Sequence, residues 1–362
     1  MDMEKVFEGH IHHLRDIPLP KAIEIYKKEF AEAGVAGGCF LSIPHHESAK
    51  ATDFDSLQNL KILCLKRAFG KNFYAFAALE HPQDYSDKQA VKKNFLRQVE
   101  KYFSVGFDGI KMLEGYPSLL KERKIPLDDE IYDDFYAFME KNGYPITIHI
   151  ANPRESWDIT KASKELIQAG RVYDETYPTK DEITAQLFRV LEKYPKLKIA
   201  VAHFGFFIGE KENAERFLGE FENTTFDITP GGEQYFKMLE DWPYWKDFIK
   251  RYQDRIFYGT DFYAFQDDNE EGWRTAFMRR PRLVRQFFET DTEHKYIDKP
   301  FRGVKLDEKL RTKIYWDNGL RRVGESKPID EEYIKSEAKR LLTSPYKVYS
   351  CSDEDLRYIL GE

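Results

Sequence analysis

Cysteine is scarce in this chain: there are three, Cys39, Cys64 and Cys351. Their odd number and wide spacing exclude a disulfide framework, and without a CxxC pair they offer neither a thiolate metal site nor a redox centre. Long apolar runs are missing as well. None approaches the roughly 18 residues that cross a bilayer, and 33% of the residues are charged, so a membrane-spanning reading fails. Nor is there an excess of positive charge, because 56 Lys and Arg face 63 Asp and Glu for a net charge of −7. A mildly acidic chain has no general attraction to nucleic-acid phosphate. The first residues carry Asp2, Glu4 and Glu8 where a secretory signal would need a basic patch and a greasy core. Finally, no glycine-rich phosphate loop of the GxGxxG or P-loop kind follows any strand-like run. These absences lead us to expect a cytoplasmic protein whose partner is a small-molecule substrate, with no nucleic acid and no membrane. They leave homo-oligomerisation open.

What the chain does have is bulk: 41% apolar residues, including 28 Phe and 22 Tyr, enough to fill a large core. Short β-branched or aromatic runs alternate with segments of helical period from the start of the chain. The runs are Val6 to His13, Val35 to Ile43, Phe73 to Leu79, Phe107 to Leu113, Pro145 to Ile150, Leu197 to Phe204, Thr224 to Thr229 and Arg255 to Phe262. Helical patterns over Pro20 to Ala33, Ser56 to Phe69, Lys88 to Val105 and Asp129 to Asn142 each stop at a glycine (Gly34, Gly70, Gly106, Gly143), where a left-handed cap is least strained. Thr179 and Glu182 have capping-box spacing ahead of Ile183, Leu187, Val190 and Leu191. Eight such strand–helix units predict an α/β protein of the (β/α)8 TIM-barrel class with a helical C-terminal appendage. We expect the barrel over residues 1–324, with a long loop after the fifth strand at about 152–178, and a helical extension over 325–362 packed on it. Helices are expected near Thr275 to Phe288, Glu308 to Val323 and Glu331 to Leu342, with a polar link at Phe301 to Val304.

In a barrel of this kind the chemistry sits at the carboxyl ends of the strands, and the titratable residues there form a pattern. The first strand ends in Glu8-Gly9-His10-Ile11-His12-His13. Alternation puts His10 and His12 on one face, so a single edge can present two imidazoles to one cation, while His13 turns away. Taken alone, HxH is a weak signal. His149 is the last inward residue of the fifth strand, where it shares a face with Thr147, and His203 holds the same place in the sixth. Asp261 ends the eighth. Each is expensive to bury without a partner or an ion.

Together these residues resemble the amidohydrolase superfamily, specifically its amidohydrolase-related branch that contains the aminocarboxymuconate-semialdehyde decarboxylase-like enzymes. The matching pieces are Gly9-His10-Ile11-His12, Gly109-Ile110-Lys111, His149, Ala202-His203-Phe204-Gly205 and Gly259-Thr260-Asp261. The stretch Lys313-Ile314-Tyr315-Trp316-Asp317-Asn318-Gly319-Leu320 is similar to that branch's C-terminal helix. The likeness runs over about residues 6 to 324, with its motifs in family order. It implies that His10, His12, His149 and Asp261 hold a divalent metal, Zn2+ foremost with Mn2+ as the alternative, and that His203 stands beside it as acid, base or electrophilic helper, with Asp261 also moving a proton. Such a donor set lowers the pKa of a bound water to about 7. In some amidohydrolases a lysine at the place of Lys111 is carboxylated and bridges two metals. The plainer reading of Lys111, in a branch that is usually mononuclear, is an ammonium that binds a substrate carboxylate or pairs with Asp261 or Glu114. One ion per chain is expected, or two if Lys111 is carboxylated.

The implied activity is a metal-dependent hydrolase of a small carboxylated amide, ester or lactone that uses metal-activated water. A metal-dependent non-oxidative decarboxylase is the alternative, and a catalytically silent ligand-binding barrel the third reading. HxH in place of the ExH of some decarboxylases of the branch leans toward hydrolysis, although other decarboxylases there share HxH. Further candidates lie on the strand-end loops. His45 and His46 follow strand two and His81 follows strand three, as substrate contacts or as solvated histidines. Arg154 and Trp157 open the long fifth loop, to clamp an anionic or planar substrate or to pack a lid. His13 and His294 read as packing or surface. The runs Lys121 to Lys124, Asp267 to Glu271 and Arg279 to Arg285 read as exposed faces.

Overall fold

The structure is a computed structural model that describes residues 3–13, 17–43, 54–230, 234–263, 270–344 and 352–362. Nine strands run parallel in one curled sheet: β1 Val6–His12, β2 Val35–Leu41, β3 Phe73–Ala77, β4 Gly109–Gly115, β5 Ile146–Ile150, β6 Ile199–Val201, β7 Thr224–Asp227, β8 Ile256–Phe257 and β9 Phe262–Tyr263. The order β8-β7-β6-β5-β4-β3-β2-β1-β9 closes the ring, because β8 pairs with β7 while β9 pairs with β1. Gly9 N–H also donates to the Tyr258 carbonyl just past β8, at 3.0 Å. The chain is therefore a TIM barrel. β8 and β9 are the two ends of the single strand expected over Arg255 to Phe262. Between them Asp261 adopts a left-handed φ of 57°, which no strand residue holds, so pairing stops and the carboxylate is turned at the mouth.

The strands read as near-continuous apolar runs because helices cover the outer face of a parallel sheet. β1, β3, β5 and β6 are buried throughout. The expected helices form with their predicted caps. Gly34, Gly70, Gly106 and Gly143 all have positive φ, and the Thr179–Glu182 capping box is complete. The first two residues of the polar link expected at Phe301 to Val304 instead end β11 Lys299–Arg302, which pairs with β10 Glu293–Tyr296 in a small antiparallel hairpin. Its alternation is hidden by charge on the exposed faces.

Two local features aim the site. Between Glu8 and Ile11, β1 advances three residues while its partner β2 advances two, from Gly38 to Phe40, a bulge of the kind found beside active sites. Below the bulge Phe7 joins Cys39, Tyr74, Phe76 and Val323 in the barrel floor. Above it His10 and His12 line the mouth. The floor is closed by the C-terminal stretch: Asn318 Nδ2 donates to the carbonyls of Gln253 and Ile256 at 2.7 and 2.6 Å, which anchors β8. Arg322 reaches in to the Ile146 carbonyl, between the rings of Phe76 and Phe257.

Candidate metal centre at the barrel mouth

A cavity of about 380 Å³ opens at the carboxyl ends of the strands, and His10, His12, Lys111, His149, His203 and Asp261 all line it. His10, His12 and Asp261 form its tightest donor group, with one ligand atom from each lying within 4.8 Å of the others. His10 Nδ1 donates to Asp227 Oδ2 at 2.8 Å, and His12 Nδ1 donates to the Leu41 carbonyl at 2.9 Å. Both Nε2 atoms are thereby left as lone pairs, and they face each other at 3.0 Å. Asp261 Oδ1 stands 3.6 and 3.5 Å from them. Two lone pairs and a carboxylate converging in a buried space repel one another unless a cation joins them, and fixing a ring through its second nitrogen is how metal-binding histidines are oriented. The donor set therefore fits a divalent ion.

Asp227, the last inward residue of β7, was not among the candidates. Its Oδ1 accepts the backbone N–H groups of His203 (2.7 Å) and Thr229 (3.1 Å) while Oδ2 holds His10, so a single buried carboxylate sets both a donor ring and the turn that follows β6. Burial alone would raise its pKa, but the hydrogen bonds from His10 and Thr229 and the charges of His10 and His203 bring it below the usual carboxylate range. The same end-of-strand position that singled out His203 could have found it.

His149 lines the cavity but points Nε2 at the Ala151 carbonyl, 2.8 Å away, outside the tight group. Its ring lies 5.1 Å from that of His203. His203, Phe204 and Gly205 are all left-handed, with φ of 57°, 52° and 63°, and Phe206 follows at 51°. Such a run is strained for side-chain-bearing residues, and it is pinned at both ends. Asp227 takes the His203 N–H, Gln234 Nε2 donates to the His203 carbonyl at 2.8 Å, and the buried Lys180 donates to the Phe206 carbonyl at 2.6 Å. Within this turn His203 Nδ1 is buried without a hydrogen-bond partner. Burial pushes the ring down to about 3, so it is neutral near pH 7 and can donate a hydrogen bond.

Asp261 has its own counter-ion. Arg280 Nη1 meets Oδ2 at 2.7 Å and the Asp261 carbonyl at 2.9 Å. Burial would raise this carboxyl, yet Arg280 and the three neighbouring histidines hold it well below the carboxylate range. The run Arg279 to Arg285, expected as an exposed face, thus supplies a site residue. Its charge pattern could not show that one arginine turns inward.

Lys111 is fully buried, and burial lowers its pKa to about 8. Among the described residues its side chain makes no hydrogen bond or ion pair. The remaining candidates are placed elsewhere. His81 does not line the cavity: it bonds Glu114 Oε1 at 2.6 Å and the Tyr85 hydroxyl at 2.8 Å in a buried network. Arg154 is committed to Asp181 and Glu210, and Trp157 Nε1 donates to the Pro178 carbonyl while its ring packs on Tyr173 at 4.9 Å. These two line a neighbouring cavity of about 770 Å³. His45 and His46 lie outside the described residues. His13 is buried, and His294 sits on the β10 hairpin. No helix among the described residues is long and apolar enough to cross a membrane.

Fold and donor set together define a parallel barrel with a histidine–carboxylate centre at its mouth. The family profile described as amidohydrolase matches residues 72–324, and the chain belongs to that family. A search of curated proteins finds no match. Solved structures share the fold at low identity. A dihydroxybenzoic acid decarboxylase from Polaromonas sp. JS666, with bound manganese and the inhibitor 2-nitroresorcinol, is 15% identical over 89% of this chain and 97% of its own, with a TM-score of 0.53. A 2,6-dihydroxybenzoate decarboxylase complexed with 2,6-dihydroxybenzoate is 17% identical over 89% and 99%, with a TM-score of 0.52. A 4-oxalomesaconate hydratase from Rhodopseudomonas palustris is 15% identical over 88% and 95%, also at 0.52.

Proposed function

We propose that the chain is a metal-dependent hydrolase of a small carboxylated molecule. His10, His12 and Asp261 would hold one divalent ion, with His149 completing the set by turning from the Ala151 carbonyl. When bound, that ion supplies a water of lowered pKa and polarises a carbonyl oxygen. The observation that carries the reading is the pair of opposed Nε2 lone pairs beside Asp261. Asp261, kept ionised by Arg280, is poised to accept the proton of the attacking water and to pass it to the leaving group. His203 stays neutral and donates a hydrogen bond to charge developing on the substrate oxygen. Lys111, a buried ammonium whose side chain makes no ion pair among the described residues, receives the substrate carboxylate. If Lys111 were carboxylated instead, a second ion would follow and His203 would be free to bind it.

Decarboxylation is the second reading, and the two decarboxylases of the same fold favour it, one of them holding manganese. It uses the same donor set, with His203, whose neutral ring keeps one N–H, or Asp261 handling the proton that carbon must receive. Zn2+ and Mn2+ each suit this mixed nitrogen and oxygen donor set. A cytoplasmic location is part of the proposal, supported by the buried, unpaired thiols of Cys39 and Cys64.

Incubating the metal-loaded protein with panels of carboxylated lactones, amides and aromatic acids separates the reactions. Acid or amine release without carbon dioxide is the expected result, and carbon dioxide release would replace hydrolysis with decarboxylation.

A further inference from the structure

Glu8 stands two residues before the first histidine of the centre and is fully buried, yet it neither lines the cavity nor belongs to the tight donor group. A buried carboxyl group is costly unless its oxygens are bonded. The bonds that Glu8 keeps all reach the chain segments carrying the metal donors. Its Oε1 accepts the His10 N–H at 3.1 Å and the Thr260 N–H at 2.8 Å, while Oε2 accepts the Thr260 hydroxyl at 2.7 Å.

These bonds lie where the barrel's own pairing lapses. On one side of β1 the bulge leaves Gly9 and His10 without partners in the register with β2. On the other side no ladder joins β1 to β8 among the described residues, and the ring is closed by the two residues of β9, which pair with Ile11 and His12. The Gly9 N–H bond to the Tyr258 carbonyl and the Glu8 carboxyl group span this gap. Thr260 directly precedes Asp261, whose left-handed backbone ends the pairing and whose carbonyl is taken by Arg280. Asp261 is thus held from the residue before it and at its own carbonyl.

We propose that Glu8 is a positioning residue for the metal centre: by accepting the N–H groups of His10 and Thr260 together, it fixes the spacing between the histidine pair and Asp261, so that the donors stand assembled before an ion arrives. The inference rests on the metal-centre reading above and extends it from the donors to what spaces them. A donor set not held in advance loses affinity to the ordering of its own ligands. The role is one of hydrogen bonding and not of charge. Glutamine can keep all three contacts, with its oxygen accepting both N–H groups and its amide donating to the Thr260 hydroxyl oxygen, whereas alanine keeps none and leaves two N–H groups without their acceptor.

The test is Zn2+ affinity of the full chain by competition with a chelating dye, together with the visible absorption spectrum of the Co2+-loaded protein and the unfolding midpoint of each metal-free variant. E8A is expected to bind Zn2+ about 10- to 100-fold more weakly and to change the Co2+ spectrum, while E8Q stays within about threefold of the parent and keeps its spectrum. T260V keeps both N–H bonds and removes only the hydroxyl, so it should bind about fivefold more weakly at an unchanged midpoint, and it carries the test where E8A does not fold. Parent-like affinity in E8A, or in T260V where E8A is unfolded, overturns the proposal. An E8Q as weak as E8A overturns it too, since the charge and not the bonds would then be responsible. A parent chain that takes up neither ion sinks the metal reading and this proposal with it, whereas a parent that loads metal while every variant matches it sinks the proposal alone.

Discussion

His10 binds nothing usefully unless Asp227 holds its other nitrogen. Replacing Asp227 with Asn keeps an oxygen for the His203 and Thr229 N–H groups but offers His10 Nδ1 an amide donor, which drives the ring proton to Nε2 and removes a metal lone pair. We expect D227N to weaken metal binding by about 10- to 100-fold with little change in melting temperature, measured by competition with a chelating dye. Wild-type affinity in D227N would show that Asp227 does not set the tautomer. A pH limb belongs to Lys111. Its pKa of about 8 means that the charged form prevails below and disappears above, so kcat/KM for an anionic substrate should fall as pH rises through 8. In K111Q that limb should be absent and KM raised. The period-two rule was enough to place His10 and His12 together, and strand-end positions led to His203 and Asp261. Arg280 and the bond from Asp227 to His10 were not legible. Each depends on residues distant in sequence, and nothing in a run of arginines marks the one that turns inward to a carboxylate.

At the scale of elements, the glycine-capped helices and most strand starts could be read because each is a local signal. The break between β8 and β9 could not, since it is imposed by pairing to two different strands and by the left-handed Asp261. The same holds for the left-handed turn at His203, which three distant side chains pin. The bulge that lifts His10 and His12 to the mouth relies on β1 lying close against β2. A Cβ at Gly38 would meet the Glu8 carbonyl oxygen at 2.4 Å, with nothing flexible to yield. Gly38→Ala is therefore expected to cost about 1–3 kcal/mol in urea unfolding and to lower metal occupancy as well, because β1 must shift. A stable G38A with full metal affinity would show that the spacing of these strands does not aim the site.

Over the whole molecule, the ends of the chain are tied to the barrel by buried ion pairs that composition cannot reveal. Lys61 and Asp355 are both fully buried, with Nζ 2.6 Å from Oδ2, and Asp355 Oδ1 also accepts the Leu19 N–H. Lys66 pairs with Asp108 and donates to the Lys327 carbonyl at 2.7 Å. Through these contacts the helices Glu331–Leu342 and Ser352–Leu360 clasp the outside of the first βα units. Removing one partner leaves a buried charge, so D355A should lose about 3–5 kcal/mol of stability, and the K61M/D355L pair should recover most of it. An unchanged unfolding midpoint in D355A would mean that this clasp carries no load. The account as a whole depends on one ion at the barrel mouth. Equilibrium dialysis against Zn2+ or Mn2+ followed by elemental analysis should find about one ion per chain in the parent protein and less than about a tenth of that in H12A and D261A. Parent protein without metal, or variants that bind as much as the parent, would contradict it.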